Sequence, residues 1–183
     1  ARWGDFYSFG LNWNAKKENF LQGVEWLNDL RVRASYGEVG NNAGVSLYAY
    51  QSLYEINKNG GNAAFISQSL PAPNIEWETT QTVDLGIEGK LFDRLNFSFG
   101  YFDKRSKDLL FEVRLPYSAG SYPHNDSMTN WSIYQNIGTI SNRGFEIALS
   151  GEIIKNKDWN WTVSADATTL KNKVIKLPGG KDI

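Results

Sequence analysis

Cysteine is absent from the 183 residues, and with it go disulfide frameworks, thiolate metal centres and cysteine nucleophiles, although the compartment stays open on this ground. Long apolar runs are missing too. Nothing approaches the roughly 18 consecutive apolar residues of a spanning helix, but a spanning strand needs only about 9–11 residues with alternate ones apolar. A mean hydropathy of −0.45 is therefore no objection to a bilayer. Net charge is −1 with a pI near 5.9, so the overall basic field that nucleic-acid binding requires is lacking. The single histidine, His124, has only Asp126 close by in sequence. That pair falls short of the ligand count of a metal site and is read as solvated loop. No nucleophile, base and orienting group come together at a recognisable spacing. Neither Gly37-Glu38-Val39-Gly40 nor Gly60-Gly61 leads into a helix as a phosphate loop does. No catalytic residue, cofactor or metal is expected, and an enzyme is disfavoured. No leader pattern stands at Ala1. The chain opens inside a strand pattern at Ala1-Arg2-Trp3 and stops at Gly179-Gly180-Lys181, so it is expected to be a piece of something longer.

What is present is alternation. Before the short turn Leu91-Phe92-Asp93-Arg94, Val83, Leu85 and Ile87 are apolar while Thr82, Asp84, Gly86 and Glu88 are not. After it, Leu95, Phe97, Phe99 and Tyr101 continue the apolar face, and Asn96, Ser98 and Gly100 the small polar one. A period of two on both arms of a tight turn predicts an antiparallel hairpin with one greasy face.

The same pattern recurs along the chain and predicts about six membrane strands. Residues 5–14 carry Tyr7, Phe9, Leu11 and Trp13 on one face. Residues 15–29 break the alternation, with Phe20, Leu21, Val24 and Leu27 at helical spacing. A strand opening at Leu30 sets Val32, Ala34 and Tyr36 against Arg31, Arg33 and Ser35. Facing lipid, each arginine would cost about 2–4 kcal/mol at mid-depth, so both must face a wet interior. A weak strand is expected at residues 45–54 and a breaker at Pro71-Ala72-Pro73, inside a long connection over residues 41–78. The hairpin's second strand is expected to run on past Lys104, putting Asp103, Arg105 and Lys107 on outward positions beyond the hydrocarbon. A second long connection, residues 116–134, precedes a strand over 135–154 and a last one bearing Trp161, Val163, Ala165 and Ala167. Short and long connections alternate, as in transmembrane barrels with periplasmic turns and external loops. Trp13, Trp26, Phe92, Trp159 and Trp161 gather at the short-turn end, where an interfacial girdle would sit.

Alternation alone suits a soluble β-sandwich glycan-binding module as well, with the apolar face turned to a second sheet. The sequence supplies no obvious second sheet, and the strand centres on the polar side use Gly, Ser, Thr, Asn and acids rather than lysine. A small self-contained outer-membrane barrel serving as adhesin remains a further alternative.

Four stretches resemble SusC/RagA-type TonB-dependent outer-membrane transporters, in the family's order. They are Leu30-Arg31-Val32-Arg33-Ala34-Ser35-Tyr36-Gly37-Glu38-Val39-Gly40-Asn41; Trp77-Glu78-Thr79-Thr80-Gln81; Tyr101-Phe102-Asp103-Lys104-Arg105-Ser106-Lys107-Asp108-Leu109-Leu110; and Gln135-Asn136-Ile137-Gly138-Thr139-Ile140-Ser141-Asn142-Arg143-Gly144-Phe145-Glu146. The resemblance implies an all-β fold, part of a transmembrane barrel of about 22 strands that is plugged by an N-terminal domain not seen here. It implies import of oligosaccharides or peptides through the Gram-negative outer membrane, driven by TonB through that missing part, with a SusD-like surface lipoprotein as partner and outer-membrane lipid around the wall. On that reading residues 1–183 are a partial barrel domain.

Candidate contact residues follow from both arguments. Tyr48, Tyr50, Tyr54, Tyr117, Tyr122, Trp131 and Tyr134 lie in connections, where flat aromatic faces beside Asn and Asp suit sugar rings or peptides. They equally suit packing of loop on loop or on a lipoprotein. Arg31, Arg33, Asp84, Glu88, Glu146, Glu152 and Asp166 are expected to face the lumen as a hydrated polar wall rather than as acid/base pairs. The Asn-x-Ser/Thr matches at Asn96, Asn125, Asn130 and Asn160 carry little weight, since two of them fall inside strands.

Overall fold

The computed structural model describes residues 3–115 and 132–176. Ten strands are found among them: β1 (Ser8–Asn14), β2 (Leu27–Asn41), β3 (Leu53–Asn59), β4 (Asn62–Ser69), β5 (Glu78–Leu91), β6 (Leu95–Lys107), β7 (Leu110–Arg114), β8 (Ser132–Asn136), β9 (Thr139–Lys155) and β10 (Asn160–Lys176). Six of these form one antiparallel sheet in the order β1-β2-β5-β6-β9-β10, and β3-β4 and β7-β8 are separate two-stranded sheets. Neighbours in the large sheet are also consecutive along the chain once the two small hairpins are set aside, so it is an up-and-down meander. It is open, with β1 and β10 as its edges.

Register explains why one face is apolar across all six strands. Trp13 pairs with Val32, Val32 with Ile87, Ile87 with Phe99, Phe99 with Ile147 and Ile147 with Ala167. The row above runs Leu11, Ala34, Leu85, Tyr101, Phe145, Thr169. Because side chains alternate along a strand, these rows share one face and the polar set shares the other. Among the described residues no second layer covers that face. Among the described residues the only buried apolar ones are Ala15, Leu27, Ala49 and Ala72, none of them at the sheet centre, whereas Leu85, Phe99, Ile147 and Leu149 remain 41–48% exposed. A sandwich half would bury these side chains.

Several expectations need correction. Residues 45–50 form turns instead of a strand. The reason is local: Ser46 Oγ accepts from the Tyr48 N–H at 3.2 Å, and the Ala49 N–H donates to the Ser46 carbonyl at 3.0 Å. Strand structure in that connection lies later, in the β3-β4 hairpin turning at Gly60 (φ 58) and Gly61 (φ 89). The strand foreseen over 135–154 is two: β8 ends at Asn136, and Gly138 at φ 96 breaks the chain before β9. β2 begins at Leu27, three residues earlier than expected. Its start is pinned by burial of Leu27 and by the Leu27 N–H donating to Val24 at 3.3 Å. The helical turns before it are present as a 3-10 turn (Ala15–Lys17) and one α-turn (Asn19–Gln22). Lys16 Nζ closes that connection by donating to the carbonyls of Leu21 and Val24 at 2.9 and 2.8 Å. Of the connection at 116–134, residues 132–134 belong to β8 and the rest lies outside the described residues.

Candidate functional site

Two surfaces could meet a ligand: the polar face of the sheet and the connections at the long-loop end. On the polar face the register brings Arg31 opposite Glu88 and Arg33 opposite Gly86. The Arg31 Nε also pairs with Asp29 at 3.0 Å. Glu88 and Asp166 line a shallow hollow of about 510 Å³ with Asp29, Lys90, Ser98 and Ser164. Arg33 lies flat across two strands: its Nε occupies the space a Cβ would need at Gly86, and its Nη2 reaches the point 3.9 Å from where a Gly100 Cβ would stand. Glu146 Oε2 approaches that same point from the other side, also at 3.9 Å. Glycine at position 86 therefore lets the guanidinium hug the wall, while a Cβ at Gly100 would make only ordinary contact with it. Asp84 shares the face between Ser35 and Phe102. Glu152 stands apart, near the short-turn end, where Lys155 Nζ pairs with it at 2.6 Å.

At the other end, Tyr48 and Tyr50 line a groove of about 530 Å³ together with Leu47, Glu76, Trp77 and Leu110. Its two banks are clipped by the Ala72 N–H donating to the Ala49 carbonyl at 3.0 Å. Tyr134, on β8, is adjacent through its hydroxyl to the Gly44 carbonyl at 3.4 Å. Tyr54 projects from the β3-β4 hairpin and is not among the groove residues. Tyr117, Tyr122, Trp131 and His124 lie outside the described residues.

Sequence reasoning missed Trp77 and Asn136 as members of this region. Trp77 packs on Phe6, ring centroids 5.9 Å apart, and Phe6 in turn fills the space over Gly40. The Asn136 side chain accepts from the Glu76 N–H at 2.7 Å and donates to the carbonyls of Glu76 and Asp108 at 2.8 and 2.9 Å. One amide thus ties the groove's bank to the joint between β6 and β7. Both residues stand inside motifs quoted above, and membership there is the one signal that could have found them. Beyond the apolar band, Glu38 receives the Tyr36 hydroxyl and, at 2.7 Å, Gln81 Nε2. These donors hold its carboxyl below the usual range, with Lys107 adding to the effect. Among the described residues no cluster of three or more His, Cys, Asp or Glu could hold a metal.

Residues 1–182 match the family described as TonB dependent receptor-like, beta-barrel. This chain belongs to that family. Curated relatives of this barrel section include TonB-dependent receptor SusC of Bacteroides thetaiotaomicron, 34% identical over 189 residues and covering 99% of this chain. TonB-dependent receptor P3 of Formosa agariphila is 34% identical over 183 residues and covers 97%. The chain spans only 18% and 17% of those two proteins. Among solved structures, the RagAB peptide importer in the open-open state superposes with a TM-score of 0.78 at 30% identity, over 96% of this chain and 18% of that one. The closed-closed state gives 0.76 at 30% identity, over 94% and 18%. The resemblance of the four motifs to SusC/RagA-type receptors is thereby upheld, and the open sheet is a portion of a TonB-dependent receptor barrel.

Proposed function

We propose that this chain is a section of the wall of an outer-membrane importer for oligosaccharides or peptides. The observation that carries the reading is the single-layered sheet whose bulky face has no partner among the described residues. Lipid is the partner that fits. From the turn at Arg94 to Asp103 is about 30 Å of strand at ~3.4 Å per residue, or about 23 Å of height at a 40° tilt, against an apolar band of about 25 Å in such barrels. Trp26 and Phe92, ring centroids 6.2 Å apart, mark the lower interface, and Phe9 with Tyr36, 5.4 Å apart, mark the upper.

Selectivity on this reading is passive, set by the polar wall and by the groove at Tyr48, Tyr50 and Trp77. The groove contacts cargo or a SusD-like lipoprotein; the plug and the TonB-contacting segment belong to the remainder of the protein. The names of SusC and of the RagAB peptide importer support this assignment, as do the motifs in their order. The test is paired substitution in the full-length protein. Leu85→Arg costs about 2–4 kcal/mol at mid-depth and is expected to abolish the heat-modifiable folded band in outer-membrane extracts, whereas Asp84→Asn leaves it. Equal behaviour of the two variants contradicts the assignment of faces.

A further inference from the structure

A net charge of −1 conceals a local segregation. On the apolar face, just above Tyr101, Phe145 and Thr169, the register aligns Asp103, Arg143 and Lys171 in one row and Arg105, Ser141 and Lys173 in the next. Lys107 continues the outward set on β6. These three strands therefore present five cations and one carboxylate at the edge of the apolar band. That carboxylate is engaged already: Arg105 grips Asp103 through two bonds, Nη2 at 2.8 Å and Nε at 3.2 Å. Among the described residues a further acid on this face, Glu38, lies across β5 on β2.

Directly below Arg143 and Lys171 is a groove of about 390 Å³ bounded by Tyr101, Gly144, Phe145 and Thr169. Its origin is a step in side-chain size. β9 presents Phe145, Ile147 and Leu149, and their register partners on β10 are Thr169, Ala167 and Ala165. The aromatic wall is firm, with the Tyr101 and Phe145 rings 5.2 Å apart.

We propose that this groove and its cationic cap bind a phosphorylated lipid of the outer leaflet, the headgroup phosphate on Arg143 and Lys171 and an acyl chain beside Ala167 and Ala165. The inference rests on the barrel reading, which turns this face to lipid and this end outward. Arginine offers a planar fork to phosphate oxygens and lysine a mobile point charge. Cations at the level of anionic headgroups draw them in, and the apolar channel beneath accepts what a free anion does not carry. Cargo inside the barrel cannot reach this side of the wall.

The experiment uses detergent-purified full-length protein titrated with diphosphorylated lipid A, with enzymatically dephosphorylated lipid A and with inorganic phosphate. Replacing Arg143 and Lys171 together by Gln is expected to weaken lipid A binding about 30-fold, and Lys171→Gln alone about fivefold. Binding of dephosphorylated lipid A should be unchanged by either, and the heat-modifiable band retained. Thr169→Trp, which fills the groove, should weaken both lipids. Should the double variant not assemble, the Lys171→Gln and Thr169→Trp results decide alone. Equal lipid A binding by variants and wild type overturns the proposal, and so does displacement of lipid A by an equal concentration of inorganic phosphate. A wild-type protein that stays soluble without detergent overturns the barrel reading instead, so the two failures are distinguishable.

Discussion

Glycines at different points of one wall answer to different neighbours. A Cβ added at Gly100 meets nothing nearer than 3.8 Å, whereas one at Gly144 collides with the Thr169 backbone carbonyl and comes within 2.9 Å of Phe102. Backbone cannot swing aside as a side chain can, so Gly144→Ala must push β9 off β10. It is expected to cost about 1–3 kcal/mol, read as a lower temperature for loss of the heat-modifiable band, while Gly100→Ala leaves that temperature unchanged. Asn136 poses a different case. Its three bonds serve backbone groups of Glu76 and Asp108 that water can reach. For Asn136→Ala, water takes over and global stability moves by less than about 0.5 kcal/mol. The groove bank loosens, seen as faster amide exchange over residues 72–77 with exchange in β5 and β6 unchanged; uniform change across the sheet would contradict the latch.

Turns decide how these strands connect, and their chemistry is uneven. Phe92 and Asp93 both adopt positive φ, 53 and 56, the backbone of a primed hairpin turn that usually calls for Asn and Gly. Neighbours compensate: Asn28 Oδ1 accepts from the Asp93 N–H at 2.7 Å and the Trp26 carbonyl accepts from the Phe92 N–H at 2.8 Å. Asn28→Ala is therefore expected to lower stability by about 1 kcal/mol, measured on the same thermal assay. At residues 155–159 the turn carries its own support, because Asn156 Oδ1 accepts from the N–H groups of Asp158 and Trp159 at 3.1 and 2.7 Å. The hairpin at 91–94 was legible in sequence because Leu85 and Phe99 alternate with polar neighbours on both arms. The turns at 45–50 were not: Val45, Leu47 and Ala49 also alternate, yet Ser46 captures the backbone before any ladder forms. The break at Gly138 was hidden for a different reason. Gln135, Asn136, Thr139, Ser141 and Asn142 are polar on both parities, so no pattern marks the point at which positive φ values at Gly138 and, on the opposing strand, Asp108 interrupt the pairing. Of the candidate contact residues, the charged set on the polar face was readable from a period of two. Trp77 and Asn136 act through packing and bonds between segments some 60 residues apart, which no local pattern encodes.

For the whole molecule the decisive property is an apolar surface that nothing among the described residues covers. A sheet that exposes Leu85, Phe99, Phe145, Ile147 and Leu149 together would aggregate in water, and the proposed barrel puts hydrocarbon on that side and water on the other. The absence of cysteine from this segment makes the point directly measurable. Single cysteines carrying a nitroxide are placed at Ile87, Phe99 and Ile147 and at their polar-face neighbours Ser98 and Asp166, in the full-length protein in a lipid bilayer. Collision with apolar oxygen should dominate at the first three and with a water-soluble nickel chelate at the other two. Equal accessibility of all five positions to the chelate, or the reverse alternation, contradicts the account.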